Sequence, residues 1–137
     1  MTRYEPLEHT ADTGIVAYGR DLPELFENAA FGLFEMMFDL SGASSEEERE
    51  VSVQGAGREE LLASWLEELL FVADSAGLAL CSFSVEHLED HRLEGRVGGL
   101  AFDQVELQGP PVKAITYHDL QVAETQDGWK ASIIFDV

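Results

Sequence analysis

The sequence predicts an α+β fold, a single domain in which two main helices pack on a mainly antiparallel β-sheet. Two segments carry apolar residues at the helical period, and β-prone segments joined by short turns surround them. Helices set among hairpins favour packing on one face of an antiparallel sheet. The chain has 137 residues, a length that suits one compact domain. We therefore expect residues 1–137 to form one domain.

Three short strands are predicted in the first half of the chain: Arg3–Leu7, Gly14–Gly19 and Glu50–Gly55. The second is β-prone and is bounded by glycines, and the third places valines on one face. The first two strands are separated by a polar corner, His9–Asp12. The segment Ser41–Glu50 is predicted to be a loop with a solvated acidic tip.

The first helix is predicted to begin at Asp21. The Asp21 carboxylate can cap the helix, and the Glu24 carboxylate three residues later can complete a capping box. Pro23 is tolerated in a first turn. Apolar residues follow at the helical period as far as Leu40, and phenylalanines make most sides of the helix apolar. We interpret this helix as part of the core rather than as a partner-binding groove.

The second helix is predicted over Gly57–Ala76 and ends at Gly77, a usual residue type just past a helix C-terminus. Its apolar residues share one broad arc, and Glu68 lies at the border of that arc, whereas Glu67 lies on the solvent side. A carboxylate at such a border is partly desolvated unless a positive group meets it. The alternative is a boundary residue that extends into water.

The second half of the chain is predicted to be rich in strands. Leu78–Leu88 and His91–Val97 form a hairpin, and Phe102–Leu107 is a further strand candidate. Ala114–Thr125 and Trp129–Val137 flank an Asp-Gly step, which is typical of a hairpin turn.

The charge balance limits the class of partner. Eight Lys and Arg against 27 Asp and Glu give a net charge of −19. That field repels phosphate backbones, so no direct nucleic-acid binding is expected, and it favours a cation or a basic protein surface. No apolar run approaches the ~20 residues of a membrane span, and Met1–Glu8 lacks an apolar signal core. With Cys81 as the single cysteine, these features predict a cytoplasmic protein without membrane contact.

Common catalytic and cofactor motifs do not account for the sequence. The glycine spacing does not match a nucleotide-binding loop, and no cysteine pair could form a thiolate zinc site. The four histidines do not form a zinc-helix motif. No glycine pattern of the nucleophile-elbow type supports a Ser-His-Asp triad.

The end of the sequence suggests a cation site. Val137 supplies an α-carboxylate beside Asp136, which alternation places on the face opposite the core. If Asp12 converges on them, three negative charges meet, and carboxylates about 4 Å apart repel by roughly 1–4 kcal/mol per pair. Such a cluster implies a cation, and oxygen-only ligands favour Ca²⁺ or Mg²⁺. With 27 acidic residues in the chain, chance placement is the alternative.

Four segments together resemble the archease family. They are HTADTGI at 9–15, WLEELLF at 65–71, VKAITYH at 112–118 and FDV at 135–137. The match spans the whole chain in the right order. The HTAD and KAITYH segments are each fairly specific, and their occurrence together with a terminal aspartate is strongly so.

The resemblance implies a small α+β protein that assists the RtcB-type tRNA-splicing RNA ligase. That ligase joins RNA ends by a GTP-dependent route through a guanylylated histidine. Archeases promote the guanylylation and multiple turnover, and no catalytic activity of the archease itself is implied. The expected partner is therefore a protein, the ligase.

The resemblance also implies site residues. A divalent cation, Ca²⁺ with Mg²⁺ or Mn²⁺ as alternatives, would be held by Asp12, Asp136 and the Val137 carboxylate. Three other motif residues are expected only to hydrogen-bond to the corner and orient it: His9, Thr10 and His118.

Two further residues are implied to act in ligase activation, Glu68 and Lys113. Lys113 is also a candidate counter-ion for Glu68, which would explain a carboxylate at the border of the apolar arc. Glu67 is the competing assignment for the functional carboxylate of the second helix.

Two other function classes remain. The first is a chaperone or modulator of RNA-modifying enzymes such as tRNA methyltransferases, which the resemblance also allows. The second is a metal-dependent hydrolase that uses the same carboxylates, although the sequence shows no evident general base or nucleophile beyond them.

Overall fold

The computed structural model describes residues 2–7 and 12–137, so the predicted roles of His9 and Thr10 lie outside the described residues. Two helices, nine strands and a single 3₁₀ turn, Phe102–Gln104, occur within these ranges. The helices are α1 (Leu22–Met37) and α2 (Arg58–Ala76). The strands are β1 (Tyr4–Pro6), β2 (Thr13–Gly19), β3 (Phe38–Asp39), β4 (Glu47–Gln54), β5 (Leu78–Leu88), β6 (Arg92–Ala101), β7 (Glu106–Leu107), β8 (Ala114–Thr125) and β9 (Gly128–Asp136).

The α+β class is confirmed, but the described strands form more than one sheet. One sheet has four strands in the order β1-β2-β9-β8, and another has three in the order β4-β6-β5. The short strands β3 and β7 pair with each other. Every one of these pairings is antiparallel.

The helices join the two main sheets into one core. Helix α1 contacts β2 of the first sheet and β5 of the second, and α2 contacts β8 and β4. The fully buried Trp65 of α2 donates its indole N–H to the carbonyl oxygen of Phe26 in α1, at 3.0 Å. The core interpretation of α1 is confirmed, since most of its apolar residues are buried.

The predicted ends of both helices are largely confirmed. The Asp21 side chain accepts a hydrogen bond from the Glu24 amide at 2.9 Å, which caps α1. The Glu24 carboxylate accepts from the Arg20 amide at 3.0 Å, one residue before the cap. Helix α2 ends at Gly77, whose φ of 70° is the left-handed conformation that glycine adopts readily.

Three predicted segments were wrong in part. Helix α1 ends at Met37 instead of Leu40, because Phe38–Asp39 turns into β3 and pairs with β7. The predicted strand Phe102–Leu107 begins as a 3₁₀ turn, and only its last two residues form a strand.

The acidic loop is the third of these corrections, because Glu47–Glu50 belong to β4. This strand pairs with β6, and its carboxylates face a cation on that strand. The Arg96 guanidinium lies 3.0 Å from the Glu50 carboxylate and 3.8 Å from that of Glu48. Ladder hydrogen bonds and a facing arginine therefore allow an acidic segment to be a strand.

Neither helix of the described ranges is long and apolar enough to cross a membrane.

Candidate functional site

Strand pairing brings three of the predicted site residues to one edge of the four-stranded sheet. Thr13, the first residue of β2, pairs with Phe135 near the end of β9. Asp12, just before β2, therefore lies at the same edge as Asp136, the last residue of β9. Ala114 pairs with Asp136, and the backbone amide of Lys113 donates to the carbonyl oxygen of Asp136 at 2.7 Å. The neighbouring ends of β2, β9 and β8 therefore carry Asp12, Asp136 and Lys113.

The carboxylates at this edge are open to solvent. Asp12 and Asp136 are exposed, and the Val137 side chain is 43% exposed. Across residues 2–7 and 12–137, no group of three or more His, Cys, Asp and Glu side chains is placed to hold a metal. The predicted ligand set adds the α-carboxylate of Val137 to the two aspartates, and it stays a prediction. Donors of this oxygen-only type fit Ca²⁺ or Mg²⁺.

Lys113 lies in a cavity of about 480 Å³ between α2 and the segment before β8. The cavity is also lined by Glu67, Phe71 and Asp74. In the described part of the chain, no carboxylate lies within 4 Å of the Lys113 ammonium group in an ion pair. Lys113 is exposed, so its charge is available to a partner.

Glu68 lies half-buried in a different cavity, of about 450 Å³. Its neighbours in that lining are Glu67, Tyr117, Ser64 of α2, and Val53 and Gln54 of β4. Lys113 does not line this cavity, so the predicted role of Lys113 as counter-ion of Glu68 is not supported by the geometry. Glu67 lines both cavities and is exposed, as the helical periodicity predicted.

A bulge in β8 carries the last two residues of the KAITYH segment. Thr116 pairs with Ile134 and Gln121 with Ser132, so the four residues 117–120 lie opposite Ile133 alone. Asp119 within the bulge has a φ of 54°, a left-handed conformation that aspartate tolerates better than most residues. His118 is exposed and lies 3.2 Å from the Asp119 carboxylate, and its predicted orienting role stays a prediction.

A comparison with models of known protein families shows the family of this chain. The model of the archease protein family matches residues 4–137. The chain belongs to the archease family. The matched range includes Asp12, Lys113 and Asp136, the three residues at the sheet edge described above.

Individual archeases match over nearly their whole length. The archease of Methanosarcina acetivorans is 37% identical over 140 residues, which cover 98% of this chain and 96% of that protein. The solution structure of Methanobacterium thermoautotrophicum protein 1598 has a TM-score of 0.83 and 35% identity, with 100% of both chains covered. A crystal structure from Thermotoga maritima, described as an archease and possible chaperone, has a TM-score of 0.65 and 25% identity, covering 97% and 96%.

One residue of this archease was missed as a contributor to the site. Tyr117 is 59% exposed on the β8 bulge and lines the Glu68 cavity. Partial burial raises the pKa of the Tyr117 phenol, and the negative charges of Glu67 and Glu60 raise it further. The position of Tyr117 in the KAITYH segment was the available sequence signal for this role. The contact with the Glu68 cavity was missed because the alternation of a regular strand does not predict the bulge that carries Tyr117.

Proposed function

We propose that this archease is a metal-binding protein cofactor that activates an RtcB-type RNA ligase. It promotes guanylylation of the ligase and its multiple turnover in tRNA splicing and RNA repair. The observation that carries the proposal is the pairing of β2, β9 and β8, which gathers Asp12, Asp136 and Lys113 at one exposed edge. Membership of the archease family supports assigning that edge to the ligase.

The proposed cation ligands are the side chains of Asp12 and Asp136 and the α-carboxylate of Val137. Carboxylates gathered at a sheet edge repel one another, and a bound cation offsets that repulsion. The cation is Ca²⁺, with Mg²⁺ or Mn²⁺ as alternatives, because all the donors are oxygens. When bound, it supplies a fixed positive charge at a surface that is otherwise strongly negative.

Glu68 and Lys113 are proposed to contact the ligase from two different cavities, both of which are lined by Glu67 of α2. Lys113 is exposed beside the sheet edge, and Glu68 lies half-buried with Tyr117 in the neighbouring cavity. The two side chains line different cavities, so they would meet different groups of the partner.

The net charge of −19 is consistent with transient binding of this archease in the basic cleft of an RNA-binding enzyme. Attraction between two proteins of opposite charge accelerates their association at low salt, and added salt screens that attraction. A protein of this charge also has to leave before RNA occupies the same cleft. We place this archease in the cytoplasm with the ligase, without substrate turnover, direct nucleic-acid binding or membrane contact of its own.

The test is a multiple-turnover RNA ligation assay with the ligase from the same organism. Asp12→Ala and Asp136→Ala are expected to lower the rate towards that of the ligase alone. Asp127→Ala removes one carboxylate from the β8–β9 turn and serves as the control, with stimulation close to wild type. Undiminished stimulation by both site variants would refute the proposed role of this edge.

The second candidate function is that of a chaperone or modulator of RNA-modifying enzymes such as tRNA methyltransferases. The description of the Thermotoga maritima archease as a possible chaperone favours it. Affinity capture from the native cell separates the two functions. Recovery of a ligase supports the first proposal, whereas recovery of a methyltransferase without any ligase supports the second.

A further inference from the structure

An apolar groove of about 490 Å³ lies beside the Lys113 cavity. Its floor is made by residues at the end of α1 and on one face of α2, including the nearly buried Met37 and the half-buried Leu70. The segment that follows β6 forms the opposite wall. The lining consists of Phe34, Met37, Phe38, Leu70, Ala73, Asp74, Phe102, Asp103, Leu107, Pro111 and Val112.

Exposed apolar side chains gather at this face of the molecule. Leu107 is 78% exposed and Phe102 is 39% exposed, and both line the groove. Phe71, which is 65% exposed, lines the adjoining Lys113 cavity. Of the described residues, only Tyr117 and Val137 are comparably exposed large apolar side chains outside these two cavities. Such a concentration is typical of an interaction surface, since scattered exposed residues need no explanation.

Direct contacts fix the two sides of the groove relative to each other. The amide of Gln108 donates to the Met37 carbonyl oxygen at 2.8 Å, and the amide of Val112 lies 3.3 Å from the Met37 sulfur. The rings of Phe38 and Phe102 stack with their centroids 5.5 Å apart. Because the walls are already fixed, less conformational entropy is lost when a segment binds.

The charge around the groove is of one sign. Asp74 and Asp103 are the charged residues among the described lining, which contains no lysine or arginine. Two copies of a chain with a net charge of −19 would repel each other at this face. The complement of an acid-rimmed apolar groove is a segment that carries apolar and basic side chains together.

We propose that this groove binds a basic amphipathic segment of a partner protein, with its apolar side chains between the α1–α2 floor and the segment that follows β6, and its lysines or arginines at Asp74 and Asp103. The inference goes beyond the proposed function, because it does not require the partner to be an RNA ligase. The groove and the Lys113 cavity share Leu70, Asp74, Pro111 and Val112. A bound segment therefore sets the orientation of the partner relative to Lys113.

The probe is a fluorescein-labelled peptide of about 18 residues made of leucine and lysine, with the leucines at the helical period. A second peptide replaces leucine by glutamine at equal charge, and a third replaces lysine by glutamate at equal apolar content. Fluorescence anisotropy measures binding to the full-length chain at low and at physiological salt. Only the leucine–lysine peptide is expected to bind.

Variants locate the binding site on the chain. Leu107→Gln is expected to weaken binding by about tenfold, because a leucine loses its apolar contact. Leu107 is the most exposed of these residues, so the substitution leaves the core intact. Asp103→Asn is expected to weaken binding and to reduce its dependence on salt. Asp127→Asn, with the same loss of charge in the β8–β9 turn, is the matched control and leaves binding unchanged.

Several results would overturn the proposal. Equal binding of the leucine–glutamate peptide removes the role of charge, and equal binding of the glutamine–lysine peptide removes the role of the apolar groove. Equal effects of Asp103→Asn and Asp127→Asn show non-specific attraction. A dimer in sedimentation that Leu107→Gln dissociates shows that a second copy occupies the face. None of these results alters the ligation test of Asp12 and Asp136, so the two proposals fail separately.

Discussion

The backbone amide of Lys113 donates a hydrogen bond of 2.7 Å to the carbonyl oxygen of Asp136. This bond continues the β8–β9 ladder past the Ala114–Asp136 pair, so main-chain hydrogen bonding holds Lys113 beside Asp136. On the other side of β9, the pairing of Thr13 with Phe135 places Asp12 at the same edge. The placement of these three residues at one edge therefore follows from strand register.

Gly14→Ala tests this dependence on register. A Cβ atom at Gly14 would overlap the Ile133 carbonyl oxygen and would lie 2.6 Å from Leu7 Cδ1. Since β2 and β9 must separate to accept it, we expect the free energy of unfolding to fall by about 1–3 kcal/mol. The displacement also moves Asp12 away from Asp136, so Ca²⁺ affinity is expected to fall although no carboxylate is lost. Urea denaturation and calorimetric titration measure the two effects.

Gly57→Ala is the matched control, because no heavy atom lies within 4 Å of a Cβ at Gly57. Its Ca²⁺ affinity is expected to stay close to wild type, and its stability is expected to fall by less than that of Gly14→Ala, because the only cost is a poorer N-cap of α2. If Gly14→Ala lowered stability but left Ca²⁺ affinity unchanged, the sheet register would not determine the position of Asp12 relative to Asp136.

Asp136→Asn is predicted to weaken Ca²⁺ binding on the order of tenfold or more, because affinity follows the number of charged ligands. The amide keeps the size and one oxygen of the side chain, so the β9 pairing is preserved. Isothermal titration calorimetry of Asp136→Asn against Asp127→Asn gives the comparison at equal net charge. Equal affinity of these two variants would show that Ca²⁺ associates with the general negative field and not with this edge.

Much of the fold could be predicted from the sequence. The caps at Asp21 and Gly77 and the apolar period between them locate α1 and α2 well, because these signals are local. The Asp-Gly hairpin between β8 and β9 was predicted for the same reason. The division of the strands into separate sheets was not predicted, since it depends on how α1 packs against β2 and β5 together.

The site was predictable only in part. The proximity of Asp12 and Asp136 was an inference from charge and family resemblance, and the strand register now supplies a physical reason for it. The contact of Tyr117 with the Glu68 cavity could not be predicted, because it depends on a bulge that breaks the alternation of β8. Likewise, helical position gave the exposure of Glu67 but not its place in the Lys113 cavity.

Glu68→Gln and Lys113→Met are each predicted to lower ligase stimulation by about fivefold, equivalent to about 1 kcal/mol. The two side chains line different cavities that share Glu67, so the free-energy effect in the double variant is compared with the sum of the single effects, and a departure from that sum measures coupling through Glu67. Glu67→Gln is the matched neighbouring variant in the same ligation assay. A loss of stimulation by Glu67→Gln without a loss by Glu68→Gln would assign the functional carboxylate to Glu67.

Tyr4→Phe is predicted to change the response of stability to alkaline pH. The Tyr4 hydroxyl donates to the Glu35 carboxylate at 2.6 Å, and the pKa of the phenol is raised by burial, then by this hydrogen bond and by the Glu35 charge. In the unfolded chain the phenol ionises near pH 10. Above that pH the folded state retains the proton that the unfolded state has lost, so unfolding becomes easier as pH rises.

The stability that Tyr4 contributes is therefore complete below about pH 10 and is lost as pH rises towards its folded pKa. Tyr4→Phe should be less stable near neutral pH by about 1 kcal/mol, and its stability should fall less between about pH 9 and pH 11. Urea denaturation across that range measures both effects. Glu35→Gln should retain part of the wild-type slope, because burial is the largest cause of the shift in the Tyr4 pKa. Equal slopes for the wild type and Tyr4→Phe would show that Tyr4 ionises alike in both states.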